Sequence, residues 1–294
     1  MEYIYLIFAL LAYFPLTLSD KLGSERTEEK AMLFKYSFYR SLIGIVFGVI
    51  MVVISGSKIQ LDPYTVLTAA LFGLSLALCM LVTFYSMQVT TVAISSVFKA
   101  ASVIIPCVFG ALFFEESISL VNVLGFVIFL ISVYLIVSKS GEKKSGFGAK
   151  ALLACLGVLF TNGLGSIAIQ VFGNFVPNGE ESVFMLIAYC IQSLVLLVIH
   201  LFYAKSSKTS NPEIISKKMW IYAIIGTVAA FLIQQIMAGL SSEISALIIF
   251  PVTMGSSVVI SVVVGWLWFK EKLTLKNISG IIGTIISLVM INMF

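Results

Sequence analysis

Long apolar runs alternate with short polar breaks along this chain, and most of its architecture follows from that rhythm. The runs fall at 3–19, 32–55, 64–86, 90–114, 119–138, 149–171, 181–204, 218–239, 244–269 and 273–293. Each is near the length of about 20 residues that crosses the hydrocarbon of a bilayer as a helix. The breaks are charged or turn-forming, as in DKLGSERTEEK, SGSKIQLDP, SKSGEKKSGFGAK and NFVPNGEE. Inside lipid the backbone must bond to itself, so the runs are predicted to be helices. The alternating pattern of a membrane β-barrel, in segments of about ten residues, is absent.

The pattern also repeats. Thr90–Asn122 reads TTVAISSVFKAASVIIPCVFGALFFEESISLVN, and Ser245–Asn277 reads SALIIFPVTMGSSVVISVVVGWLWFKEKLTLKN. Glu116 and Glu271, Ser119 and Thr274, Asn122 and Asn277, and Gly125 and Gly280 all pair at one offset of 155. One offset through four landmarks marks a duplicated unit. Five spans per unit is an odd number, so the second copy enters the membrane from the opposite face. The predicted fold is an all-α polytopic membrane protein, ten transmembrane helices as two inverted five-helix repeats. Residues 1–138 form the first repeat, 139–150 a linker and 151–294 the second repeat, within one integrated transport domain. Gly44, Gly48, Gly163, Gly165, Gly280 and Gly283 are expected to let helices approach closely. Pro106 and Pro251, inside long spans, are expected to free a carbonyl and kink the chain.

Composition agrees with this picture. The chain is 60% hydrophobic and 11% charged, with a mean hydropathy of +1.10, against about 25% charged residues in a soluble domain. Cys79, Cys107, Cys155 and Cys190 sit inside apolar runs without CxxC spacing, which implies neither a disulfide nor a metal site. The start MEYIYLIFALLAYFPLTLSD lacks a basic n-region and a small-residue cleavage site, so it is expected to be a retained span. Of the 18 Lys and Arg, Lys58 alone lies in a loop after an even-numbered span, while Arg40 and Lys99 lie deeper. The others flank the odd-numbered spans. The positive-inside rule therefore puts those loops in the cytoplasm and both termini outside, in the plasma (cytoplasmic) membrane. The basic loops are explained by topology, and nucleic acid is not implied.

Ionisable groups within a membrane are costly and mark function. Lys99 lies roughly 13 Å into span 4 at 1.5 Å per residue, and Arg40 lies at a similar depth in span 2. Both spans begin on the basic side, so the two cations fall at one level and suit an anion or the carboxylate of a zwitterion. Arg holds a carboxylate bidentately and Lys acts as a point charge; for Arg40, snorkelling to the interface is the competing role. Asn162, Gln192, Gln234, Gln235, Ser95 and Ser96 are polar positions near mid-span that either line a wet cavity or bridge helices. Tyr39 and Tyr85 either contact a ligand or anchor the interface. The candidate substrate residues are thus Lys99, Arg40, Gln192, Asn162, Ser96, Gln234, Tyr39 and Tyr85. Glu115, Glu116 and Glu271 are expected to cap turns, Glu243 to complement a helix dipole, and His200 to sit at an interface. Asp20 falls at the end of span 1, and no carboxylate lies plainly at mid-membrane. There is no HExxH, no GxSxG and no pair of mid-span aspartates, so enzyme chemistry and a cofactor are not expected.

The segments FFEESISLVNVLGFVIFLISVYLIV and WFKEKLTLKNISGIIGTIISLVMIN, with FPVTMG and ten spans in two halves, resemble the drug/metabolite transporter superfamily, in its EamA-type branch. That resemblance implies an alternating-access carrier with a central cavity between the halves. Its members move amino acids, nucleotide sugars, phosphorylated sugars, cationic drugs and other small metabolites. Nucleotide-sugar carriers of the superfamily resemble this chain in having a Lys in the fourth span. Its small multidrug exporters use a Glu in the first span, which has no counterpart in IYLIFALLAYFPLTLS. The expected substrate is a small organic metabolite with an anionic or zwitterionic, amino-acid-like group. The alternative is an exporter of lipophilic or cationic drugs through an aromatic-lined pocket. The partners expected are the small-molecule substrate and the lipid bilayer; one chain completes a two-sided cavity, so a monomer suffices and a dimer is left open.

Overall fold

A computed structural model describes residues 2–24, 30–59, 61–89, 92–114, 119–137, 149–176, 181–206, 215–269 and 275–293. These form eleven helices and, among the described residues, no strand. They are α1 (Glu2–Ser24), α2 (Lys30–Ser55), α3 (Pro63–Val89), α4 (Val92–Ala101), α5 (Ile104–Phe113), α6 (Leu120–Val137), α7 (Ala149–Phe175), α8 (Glu181–Ser206), α9 (Lys217–Leu240), α10 (Ala246–Phe269) and α11 (Leu275–Met293). Helices α1, α2, α3, α7, α8 and α9 are each long and apolar enough to cross a membrane alone. The remaining four spans are shorter apolar stretches: α4 with α5, α6, α10 and α11. The turns carrying Glu115, Glu116, Glu271 and Thr274, and the linker 139–148, lie outside the described residues. Large side chains such as Phe8, Leu11, Val53, Leu112 and Phe202 stand exposed on the outer faces. In water that much apolar surface would be untenable; against lipid tails it is the expected exterior.

Two predicted spans differ in detail. Span 4 is not one helix but two, α4 and α5, broken at Ser102–Val103. Pro106, in the first turn of α5, has no N–H to give the Ser102 carbonyl four residues back. That carbonyl accepts from Ile105 N at 3.0 Å instead, and Ser102 N divides between the Phe98 and Lys99 carbonyls at 3.2 and 3.3 Å. Pro251, by contrast, leaves α10 unbroken. Span 1 runs on to Ser24, one turn past its predicted end at 19, so Asp20 lies inside a helix rather than beyond it.

The packing reproduces the repeat. Let each span exchange with the span five further on. The α3–α7 contact then becomes the α9–α1 contact, and α3–α8 becomes α9–α2. Likewise α1–α10 becomes the contact of α7 with α4 and α5, while α10–α11 becomes α4–α6. The α2–α8, α6–α11 and α5–α10 contacts map onto themselves. This is the pairing a pseudo-twofold axis in the membrane plane produces.

The repeat signature has a local role. Ser119 precedes α6, and its N–H and Oγ donate to Asn122 Oδ1 at 2.7 and 2.8 Å, while Asn122 N donates back to Ser119 Oγ at 3.2 Å. This is a reciprocal N-terminal cap. Asn122 Nδ2 also donates to the Ile291 carbonyl of α11 at 3.0 Å. Three residues on, Gly125 lets α11 come close: a methyl group there would lie 2.8 Å from Ile291 Cγ1 and 3.2 Å from the Ser287 carbonyl oxygen. The motif therefore starts one helix and docks it on its symmetry mate.

Candidate substrate site

Helices α1, α10, α4–α5, α7 and α9 touch in turn around a ring. Its two ends differ. At the basic end α1, α3, α6, α8 and α10 finish and α2, α4, α7, α9 and α11 begin. The opposite end is sealed by apolar packing. There Phe184 stacks on Phe172 at 4.2 Å and on Phe72 at 5.5 Å between ring centroids, and all three side chains are buried. Ser241 Oγ donates to the Ile169 carbonyl at 3.1 Å, and Cys107 Sγ to the Ala246 carbonyl at 3.6 Å. Within this seal, Gln170 is 1% exposed, and its amide nitrogen and oxygen have no partner among the described residues.

The basic end is polar. Arg40 projects from the α2 face next to Gly44, roughly 15 Å from the start of that helix at 1.5 Å per residue, and is 6% exposed. Its Nη1 donates to Asp20 Oδ1 on α1 at 2.6 Å, and its Nε donates to Thr227 Oγ1 on α9 at 3.3 Å. The Tyr36 ring lies 5.9 Å from the guanidinium carbon. The expected free cation is thus engaged by an ion pair. Arg40 does not snorkel out, because the carboxylate comes to it, and a buried guanidinium without one would be costly. The Asp20 side chain is 43% exposed, so this end of the pair is accessible. Residues 12–18 of α1 are all half-buried.

Gln234 joins the same region. Tyr189 Oη donates to its Oε1 at 3.3 Å, and the Tyr189 ring fills the space that Gly44 leaves. Gln192 is buried on α8 one turn from Tyr189, and its Oε1, like Tyr36 Oη and Ser37 Oγ, has no partner among the described residues. Gln235, by contrast, bridges helices: its Nε2 donates to Ser182 Oγ at 2.8 Å. Tyr39 is a half-buried aromatic packed 5.1 Å from Trp220, and His200 stacks over Phe38 at 6.5 Å.

A second polar group surrounds α4. Asn162 Nδ2 on α7 donates to Ser102 Oγ at 2.6 Å, and Cys79 Sγ on α3 lies 3.8 Å from Asn162 Oδ1. Ser95 hydrogen-bonds Ser86 of α3. Lys99 falls between Ser95 and Ser102 on one face of α4, as the spacing of four and three residues dictates. It is exposed, and it has no ion-pair partner among the described residues. Ser96 lies on α4, but its side chain is outside the description; Tyr85 is exposed on α3. So the predicted residues fall into two groups, Arg40 with Gln234 and Asn162 with Lys99, rather than one. Sequence reasoning missed Asp20, Thr227, Tyr189 and Ser102 as their partners. One signal existed for Asp20: an arginine inside an apolar span needs a carboxylate, and span 1 ends in the nearest.

Residues 3–138 match the model of the EamA-like transporter family. No curated protein matches the chain. Solved structures do, and one, titled only as the crystal structure of a protein, has a TM-score of 0.76 at 12% identity, covering 99% of this chain and 96% of its own. At that identity the likeness speaks for the fold alone. By that match, the first repeat is similar to the EamA-like transporter family, a family of membrane transporters of small molecules.

Proposed function

We propose that the chain is an alternating-access carrier for small organic metabolites with an anionic or zwitterionic group, and that Lys99 supplies a charge for that group. The observation that carries this reading is an ammonium well inside an apolar span, exposed and without an ion-pair partner among the described residues. Such a charge is costly unless something meets it. The break at Ser102–Val103 lies one turn away, and Asn162 ties that turn to α7 in the other repeat. A rocking motion between repeats would therefore move Lys99 relative to α7. The Lys/Arg distribution supports cytoplasmic basic loops and outward termini in the plasma membrane. Pairing of both repeats within one chain supports a functional monomer.

Transport by Lys99→Ala in proteoliposomes tests this, with membrane abundance matched. A loss of at least tenfold in uptake of the anionic or zwitterionic substrate is expected, with partial rescue by Lys99→Arg. Unchanged uptake rejects the assignment. Faster export of a lipophilic cation would favour the drug-exporter reading instead, because removing a like charge removes repulsion.

A further inference from the structure

We propose that Asp20 and Arg40 form a two-point receptor for a zwitterion. The ligand's ammonium takes Arg40's place at Asp20, and its carboxylate takes Asp20's place at Arg40. This rests on the carrier reading above but not on Lys99.

The argument starts from charge. Arg40 is buried and Asp20 half-exposed, and they meet through one oxygen and one nitrogen at 2.6 Å. Asp20 Oδ2 and Arg40 Nη2 have no hydrogen-bond partner among the described residues. Thr227 fixes Nε, so the guanidinium keeps its orientation when Asp20 leaves. Gly226, beside it on α9, brings that helix close to Nη2: a methyl group there would lie 3.1 Å from that nitrogen. A guanidinium so held presents two N–H groups in the fork that matches a carboxylate.

The pair selects the ligand class. A simple anion at Arg40 would displace Asp20 and leave its carboxylate unpaired beside a buried site. A simple cation at Asp20 would orphan a buried guanidinium. The orphaned guanidinium is the costlier, because it is buried at low local dielectric, and the orphaned carboxylate, which water reaches, is the lesser loss. A zwitterion meets both at once, so one internal ion pair becomes two and no charge is left over. Residues 12–18 of α1, the stretch that leads to Asp20, are half-buried. Tyr36 Oη, Ser37 Oγ and Gln192 Oε1, buried on α2 and α8 without partners among the described residues, are further polar groups along the same helix pair.

The exchange also explains why the ends of the ring differ. Asp20, Arg40 and Thr227 join α1, α2 and α9. The symmetry-related helices α7, α8 and α3 are joined at the other end by Phe172, Phe184 and Phe72. A zwitterion loosens the ionic junction by exchange of partners and has no such purchase on the aromatic one.

Ligand-induced thermal stabilisation of the purified full chain tests this with matched triplets. Each triplet is a neutral amino acid, its decarboxylated amine and its deaminated acid, such as leucine, 3-methylbutylamine and 4-methylpentanoate. The common amino acids with uncharged side chains and their available counterparts make the panel. In the unaltered chain at least one zwitterion is expected to bind ten times more tightly than its amine and its acid. Asp20→Asn is expected to move the preference to the acid, and Arg40→Gln to the amine. Asp20→Glu keeps the charge and is expected to keep the zwitterion first, which covers failure of the neutral variants to fold. An unaltered chain that ranks acid or amine first, or answers no triplet, overturns the proposal. So does an Asp20→Asn protein with an unchanged ranking. Lys99→Ala is run beside them: if it leaves every ranking and affinity intact, the role given to Lys99 falls and this one stands. If only Lys99→Ala changes binding, the reverse holds.

Discussion

At the scale of the residue, Asp20 and Arg40 are unequal partners. Arg40 is 6% exposed and Asp20 43%, so removing either leaves a different remainder. Asp20→Ala orphans a buried guanidinium, which is expected to cost on the order of 3 kcal/mol. Arg40→Met leaves a carboxylate that water reaches and keeps the apolar bulk, at about 1 kcal/mol or less. Thermal unfolding of the purified variants checks the order, and the double variant is expected to recover part of the Asp20→Ala loss. An equal loss from both single variants would mean that Asp20 is as dry as its partner. Arg40 was legible in the sequence because a charge inside an apolar run stands out. Asp20 was not, because it follows the run, and only the extension of α1 to Ser24 brings it level with Arg40.

At the scale of the element, glycines decide how close helices come. A methyl group on Gly73 would lie 2.3 Å from the Ala188 carbonyl oxygen of α8, a backbone atom that cannot swing aside. On Gly165 the nearest atom would be Ser75 Cβ at 3.5 Å, an ordinary contact. Gly73→Ala is therefore expected to destabilise the α3–α8 packing by about 1–3 kcal/mol, as overpacking does, while Gly165→Ala is nearly neutral. Midpoints of thermal aggregation for the two variants make the comparison; equal midpoints would contradict it. The sequence placed helix ends to within a few residues, because each apolar run ends where lipid ends. It did not separate the glycine that meets a backbone from the one that meets open packing, since both sit in equally apolar stretches. The break in span 4 was foreshadowed by Pro106, but Pro251 carried the same signal and α10 stays whole.

At the scale of the molecule, the two ends differ: at one, an ion pair within the first repeat is tied to α9 of the second through Thr227, and at the other the repeats meet through stacked aromatic rings. Tyr64 of α3 and Phe175 of α7 stack at 6.3 Å on the aromatic side, and both are exposed. With the native cysteines replaced, cysteines at these two positions are expected to be joined by a short bis-methanethiosulfonate, which forms a reducible disulfide with each thiol and releases sulfinate. Alternating access predicts that the linked protein stops transporting and that reduction restores it, while each single cysteine has no effect. Full transport in the linked state would show that this end need not open.

The sequence by itself determined the class, the number of spans, their duplication and the inverted relation between the halves. Each of these depends on the length and order of apolar runs, which lipid imposes residue by residue. It also marked Lys99 and Arg40, because burying a charge is conspicuous wherever it occurs. Only the tertiary structure decided which polar groups meet. Asp20 reaches Arg40, Thr227 holds it from a helix 187 residues away, and Asn162 goes to Ser102 instead. Partner choice depends on helix rotation and crossing, which side-chain packing between distant spans sets and no local pattern records.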